Sequence, residues 1–198
     1  MIRTAGGSRA RPARAAALPA EERRAMIIEA TLDLLIEHGE MVTTRQIADA
    51  AGIAEGTIFR VFADKDALIV AAIEVALDPG PLEVALLAID RSVEFEETLE
   101  AAVRLIQQRV VNVWRLVSGI GARFHDHLQR PMTDSDALVE LVSRAQTRLS
   151  VEPQVAARLL RALTLSTTHP MLAGQPMAAP EIVQLFLHGV CAKGASSC

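Results

Sequence analysis

Residues 43–65 read TTRQIADAAGIAEGTIFRVFADK, a stretch that gathers side chains able to recognise another molecule on two short helices. Thr43 stands three residues before Gln46, the spacing at which a hydroxyl and an amide side chain cap each other's backbone and start a helix. Ile47, Ala48 and Ala51 form its inner side, and Gly52 closes it after barely two turns, too short to stand without packing. Ile53 anchors the turn. The next helix is expected from about Glu55 to Phe62, with Ile58 and Phe62 one turn apart and inward. Glu55, Thr57, Phe59 and Arg60 are left outward: a carboxylate, a hydroxyl, an aromatic ring and a guanidinium. Helix, tight turn and helix with such a surface make a helix-turn-helix whose chemistry suits the phosphates and base edges of duplex DNA. Taken singly, Thr43 and Gly52 serve as caps without DNA, Ile47, Ile58 and Phe62 as core, and Arg45 and Arg60 as solvated cations. Their coincidence on one short surface selects DNA.

Other chemistry is thin. His125-Asp126-His127 raises a metal site, but neighbours two apart do not share a helix face and no further ligands lie at a telling spacing, so these read as polar loop or pocket lining. His169, just before Pro170, reads as a helix-end residue satisfying carbonyls. Trp114, Phe124 and Met132 are candidates to line a ligand cavity, and Trp114 fits a core equally. Cys191 and Cys198 have neither disulfide-scaffold nor zinc spacing and read as free thiols; a redox role for Cys191 would need a depressed thiolate pKa. No Ser, Cys or Lys nucleophile stands in a recognisable setting, no glycine loop cradles phosphate, and the carboxylates are scattered. Neither enzyme, cofactor nor metal is expected. A purely structural helical adaptor is the remaining alternative, separated from a DNA binder by specific duplex binding that weakens as salt rises.

The helix-turn-helix needs support. Over residues 21–38, Ile27, Thr31, Leu34, Leu35 and His38 recur at three- and four-residue steps, marking the buried face of a first helix, and Gly39 stands where a left-handed cap is wanted. Asp64 is placed to cap a fourth helix running through Leu68, Ala72 and Val75, which Asp78-Pro79-Gly80-Pro81 breaks; the domain boundary is put there. Further helices are expected over 82–89, 95–121, 134–149, 154–168 and 180–192. In the long one Leu99, Val103, Ile106, Val110, Val113, Val117 and Ile120 form a seam that looks into a bundle. The last, with Ile182, Val183, Leu185, Phe186, Leu187 and Val190, is apolar all round and is expected to be buried against a second copy of the chain.

The chain of 198 residues is 51% apolar and 22% charged, with no Tyr and one Trp, which favours an all-α globular protein. Its net charge of -4 is unevenly spread: residues 1–65 carry nine Lys or Arg and nine Asp or Glu, and the acidity lies beyond. Residues 1–18 form a basic arm, expected flexible, in which Arg3, Arg9, Arg11 and Arg14 either meet phosphates or a minor groove or are a solvated tail. No apolar run has the length of a membrane span, and Arg and Pro stand where a signal peptide needs its apolar centre, so a cytoplasmic protein with no membrane partner is expected.

The sequence TTRQIADAAGIAEGTIFRVFADKDAL resembles the DNA-binding signature of the TetR family of bacterial transcriptional regulators. The likeness takes in the Thr-led second helix, the Gly-Ile turn, the Gly-Thr-Ile-Phe-Arg-x-Phe third helix and the Lys-Asp-Ala-Leu opening of helix four. It spans roughly residues 20 to 78; the remainder agrees only in helix count and lengths. The resemblance implies an all-α homodimer whose last two long helices form an intersubunit four-helix bundle, here placing Leu159, Leu163, Ile182, Phe186 and Val190 at the interface. It implies a repressor on a (pseudo)palindromic operator, with two recognition helices in major grooves about 34 Å apart. It also implies a small-molecule effector within residues 79–198, beyond a head of 19–78, with Trp114, Phe124, His125, Met132 and His169 as its lining. Binding would shift the spacing of the heads and release DNA.

Carried over by position, Thr43 and Thr44 would donate to phosphate, and Arg45 would reach backbone or base edge. Gly56 would let the amide at the start of the third helix approach a phosphate, Thr57, Phe59 and Arg60 would face the groove, and Lys65 would pair with a phosphate. Arg60 is the candidate for guanine, Glu55 for cytosine and Phe59 for the thymine methyl. Three departures stand out. Phe59 replaces the family's usual Tyr and loses a hydroxyl, Val61 replaces a usual His, and Ala54 replaces a small hydroxyl cap.

Overall fold

The computed structural model describes residues 19–128, 133–145 and 149–189, the side chain of His125 apart. Among these residues every regular element is helical, as expected. Helix α1 (Ala20–His38) starts after Pro19 with Glu21 and Glu22 in its first turn, where carboxylates suit the positive end of the helix dipole, and buries Ile27, Ile28, Thr31 and Leu35. The Thr31 hydroxyl donates to the Ile27 carbonyl at 2.7 Å, so the one polar member of that face is satisfied. At Gly39, with φ of 59°, α1 stops, and a 3-10 turn (Gly39–Met41) leads into α2 (Thr44–Ala50).

Helix α3 (Glu55–Ile58) is shorter than the spacing predicts. Past Ile58 the backbone tightens into turns, with Arg60 N–H donating to the Thr57 carbonyl at 3.2 Å and both Val61 and Phe62 N–H donating to that of Ile58 at 2.9 Å. No side chain at Ala54 caps the start, and the run Thr57-Ile58-Phe59 and Val61-Phe62 is β-branched and aromatic, the types that pay most side-chain entropy in a helix. Phe62 nevertheless keeps its inward place at 6% exposure. Helix α4 (Lys65–Leu77) is capped by Asp64, whose carboxylate accepts from Ala67 N–H at 2.7 Å.

After Asp78 come α5 (Gly80–Leu87), the long α6 (Phe95–Gly119), a 3-10 turn (Ala122–Phe124) and α7 (His125–Leu128). Then follow α8 (Asp136–Ser143), α9 (Pro153–Thr168), α10 (Pro170–Ala173) and α11 (Ala179–His188), the last stopped at Gly189 with φ of 71°.

Two apolar cores form. The first joins Ile27 and Leu35 of α1, Ile47 of α2, Ile58 and Phe62, and Leu68 to Ile73 of α4 with Leu116, Ile120 and Phe124 at the far end of α6. The second joins Leu86 of α5, Leu99, Val103 and Ile106 of α6, Leu138 and Leu141 of α8, Leu160 of α9, and Ile182 and Val183 of α11. Helix α6 therefore runs through both. Its 25 residues make a beam of about 37 Å, and the core of residues 19–78 is completed by Leu116 in its last turn and by Ile120 and Phe124 just beyond it.

The join is tight. A Cβ on Gly39 would overlap the carbonyl oxygen of Gly119, and one on Gly119 would lie 3.2 Å from the Gly39 Cα and from the Leu35 carbonyl oxygen. Backbone meets backbone where α1 ends against the end of α6. A Cβ on Gly121 would likewise overlap the Glu40 carboxylate.

Candidate nucleic-acid interface

The helix-turn-helix is built by short-range bonds. Gln46 N–H donates to Thr43 Oγ1 at 3.2 Å while Thr43 N–H donates to Gln46 Oε1 at 2.8 Å, the reciprocal capping box that the three-residue spacing predicts. At the turn, Ala51 N–H donates to the Ile47 carbonyl at 2.9 Å, Gly52 N–H to that of Asp49 at 3.2 Å, and Ile53 N–H to that of Ala48 at 3.0 Å. Gly52 has φ of 64° with open space where a Cβ would stand, so the turn needs glycine for its backbone angle and not for room.

Thr43, Arg45, Glu55, Gly56, Phe59 and Arg60 are exposed, and Thr44, Thr57 and Lys65 are half-buried. Phe59 is 50% exposed, a ring left in water three residues from a buried one, while nothing lies within 4 Å of a Cβ on Gly56. Two further placements differ from what the carried-over roles require. Thr44 Oγ1 donates to Glu55 Oε1 at 2.5 Å, so the expected phosphate donor and the expected cytosine acceptor hold each other across the turn. Lys65 Nζ donates to the Glu40 carbonyl at 2.9 Å, partly buried, which ties the start of α4 to the 3-10 turn. Lys65→Met is accordingly expected to lower stability by roughly 1–2 kcal/mol, the worth of a partly exposed bond from a charged donor, seen as a lower urea midpoint.

Helix α6 and the 3-10 turn that follows it grip α4 at both ends, through residues that sequence reasoning passed over. The Arg109 guanidinium donates to the Leu77 carbonyl at 2.9 Å and to that of Ala76 at 3.4 Å, the last carbonyls of α4. Burial pushes its pKa down and the Asp78 carboxylate pulls it back. At the other end Arg123 reaches Asp66 at 3.2 Å and Glu40 at 3.6 Å and lies 4.7 Å over the Phe124 ring. No local pattern marks these residues, since their hydrogen-bond and ion-pair partners are 32 to 83 positions away in the chain.

The remaining candidates separate. Trp114 and His169 do meet, edge to face with ring centroids 4.6 Å apart, where α6 faces the α9–α10 junction. Beside them Gln107 Nε2 donates to Thr168 Oγ1 at 3.2 Å and to the Met177 carbonyl at 2.8 Å. His169 does not satisfy carbonyls with its ring as expected: its Nδ1 accepts from Met171 N–H at 3.3 Å and caps α10. Phe124 is 3% exposed and packs in the first core. Of the expected interface set, Leu159 is 53% exposed, Leu163 and Phe186 are half-buried against the second core, and Ile182 has no exposed surface left for a partner. The arm of residues 1–18, the His125 side chain, Met132, Val190, Cys191 and Cys198 lie outside the described residues. Among the described residues no group of three His, Cys, Asp or Glu could hold a metal, and no helix is long and apolar enough to cross a membrane.

A helical head with a capped helix-turn-helix on a longer helical body is the architecture of a helix-turn-helix regulator. Residues 27–72 match the model for bacterial regulatory proteins of the tetR family. The match covers the head, from Ile27 in α1 to Ala72 in α4, and takes in the whole helix-turn-helix. It is 29% identical over 117 residues to the nucleoid occlusion factor SlmA of Glaesserella parasuis serovar 5 (strain SH0165), covering 54% of this chain and 55% of that one. The match thus spans about half the length of that relative. In fold it is similar to a TetR/AcrR-family regulator from Thermobifida fusca YX-ER1, at a TM-score of 0.57 and 21% identity over 86% of this chain and 100% of that one. It is similar also to the TetR-like regulator LfrR of Mycobacterium smegmatis in complex with proflavine, at a TM-score of 0.54 and 21% identity over 88% and 99% of the two chains.

Proposed function

We propose that the protein is a cytoplasmic transcriptional repressor that binds a two-fold related operator in duplex DNA as a homodimer. Helix α3 of each copy lies in the major groove, and a small molecule held within residues 79–198 releases the DNA. In this reading residues 19–78 are the reading head and 1–18 a basic arm beside it. The observation that carries the proposal is the outer surface of the helix-turn-helix: Arg45 stands exposed on α2 and Phe59 and Arg60 on the turn that ends α3, with the start of α2 and the turn between the helices fixed by the Thr43–Gln46 box and Gly52. A half-exposed aromatic ring beside a guanidinium suits a thymine methyl beside a guanine.

The effector is placed at the Trp114–His169 pair, a polar and aromatic corner on the helix that also grips α4, so occupancy there acts on the head through α6. The LfrR complex with proflavine supports a small-molecule effector. For dimerisation, Val155 and Leu159 stand 41% and 53% exposed one turn apart on α9 and suit a second copy. Leu159→Glu is expected to give monomers in sedimentation with operator affinity reduced; an unaltered dimer would remove α9 from the interface. The function itself is tested by selecting duplexes from a random pool. Recovery of a two-fold related sequence, bound more weakly as salt rises, is the expected result, and enrichment of no sequence would defeat the reading.

A further inference from the structure

The reading head is acidic for a DNA binder: residues 19–78 carry five Lys or Arg against twelve Asp or Glu. A polyanion approaches such a surface only where the cations are gathered. Three of the five line one groove between the first turns of α1 and α3, where Arg23 and Arg24 face Thr57 and Arg60, with Glu21 among the lining. Of the other two, Lys65 is committed to the Glu40 carbonyl and Arg45 stands on α2. Arg24 is also held in place, its guanidinium 5.2 Å over the ring of the buried Phe62, so it gives up little freedom on meeting an anion.

We infer that this groove seats the phosphates of the DNA strand bordering the base pairs that α3 reads, with Arg24 as a phosphate-positioning residue; the inference rests on the duplex-binding reading above. A helix in the major groove has a phosphate strand along each wall of a channel about 12 Å wide, and the groove opens directly off Thr57 of α3 and Arg60 of the turn that ends it. Helix α1 is then part of the reading surface as well as its support. Contact there is to phosphate alone and carries no base preference.

The test uses the full chain, a duplex selected by the wild-type protein and an unrelated duplex of equal length, with affinities measured over a salt series. Arg24→Gln is expected to weaken both duplexes by roughly threefold per bound chain and to shallow the salt slope by about one per chain. Glu21→Lys, at an exposed position on the same groove, is expected to do the reverse on both. Glu37→Lys makes the same charge change at the far end of α1, roughly 24 Å away, and is expected to leave affinity and slope unchanged. Glu21→Lys also guards against a folding defect in Arg24→Gln, because it adds a cation at an exposed site and removes no packing. Glu21→Lys without effect, or Glu21→Lys and Glu37→Lys with equal effects, would overturn the groove while leaving duplex binding intact. A wild-type protein that binds neither duplex would defeat the reading on which it rests.

Discussion

Gly39→Ala is expected to destabilise the fold by roughly 3–5 kcal/mol, lowering the melting temperature by on the order of 10 °C. Two independent costs add at this residue. Its φ of 59° with ψ of -150° belongs to a region essentially closed to residues with a side chain, worth about 1–3 kcal/mol. The new methyl would also overlap the carbonyl oxygen of Gly119, and neither partner is the flexible end of a side chain: both belong to helix termini packed in the first core. Overpacking against atoms that cannot turn away costs a further 1–3 kcal/mol or so. Gly52→Ala supplies the comparison, since Gly52 has nearly the same φ, 64°, with nothing within 4 Å of the added methyl. It should lose only about 1 kcal/mol. Equal losses in urea titrations of the two variants would show that α1 and α6 do not meet backbone to backbone. Because this join closes the first core, Gly39→Ala should also loosen the hold of α6 on the head, and protection from amide exchange in α4 should fall with it.

Arg60→Ala is expected to weaken the selected operator by about 1–3 kcal/mol per half-site, roughly 5- to 150-fold, and to relax preference at one base position. Arg60 is exposed, and its guanidinium has no ion-pair or hydrogen-bond partner among the described residues, so truncation should leave the melting temperature where it was. That separates it from Lys65, whose loss should act on stability through the Glu40 carbonyl, and from Glu55, which already holds the Thr44 hydroxyl. An Arg60→Ala protein with unchanged affinity and unchanged base preference would remove Arg60 from the reading surface and shift base recognition to Arg45 and Phe59.

The helix-turn-helix was legible because its signals are local. The Thr43–Gln46 box, the Asp64 cap and the Gly52 turn are closed by bonds spanning two to five residues, and such spacings stand in the sequence as written. Even so, the end of α3 was overextended, because burial of Phe62 fits turn geometry as well as a further helical turn. Val75 of α4 is 46% exposed, because an apolar type does not by itself say which way its helix is turned.

What the sequence determined by itself, then, is the all-α class, the extent of most helices and the helix-turn-helix with Arg45, Phe59 and Arg60 on its outside. Each follows from periodicity, caps and turns that operate over a few residues. What only the tertiary structure decided is where long side chains at helix ends find their partners. Lys65 reaches back 25 residues to Glu40, Arg109 back 32 to Leu77, and Phe124 leaves the C-terminal half to complete the first core. Ile182 turns into its own protomer's core. Loop closure makes such contacts depend on the whole fold, so no window of sequence contains them.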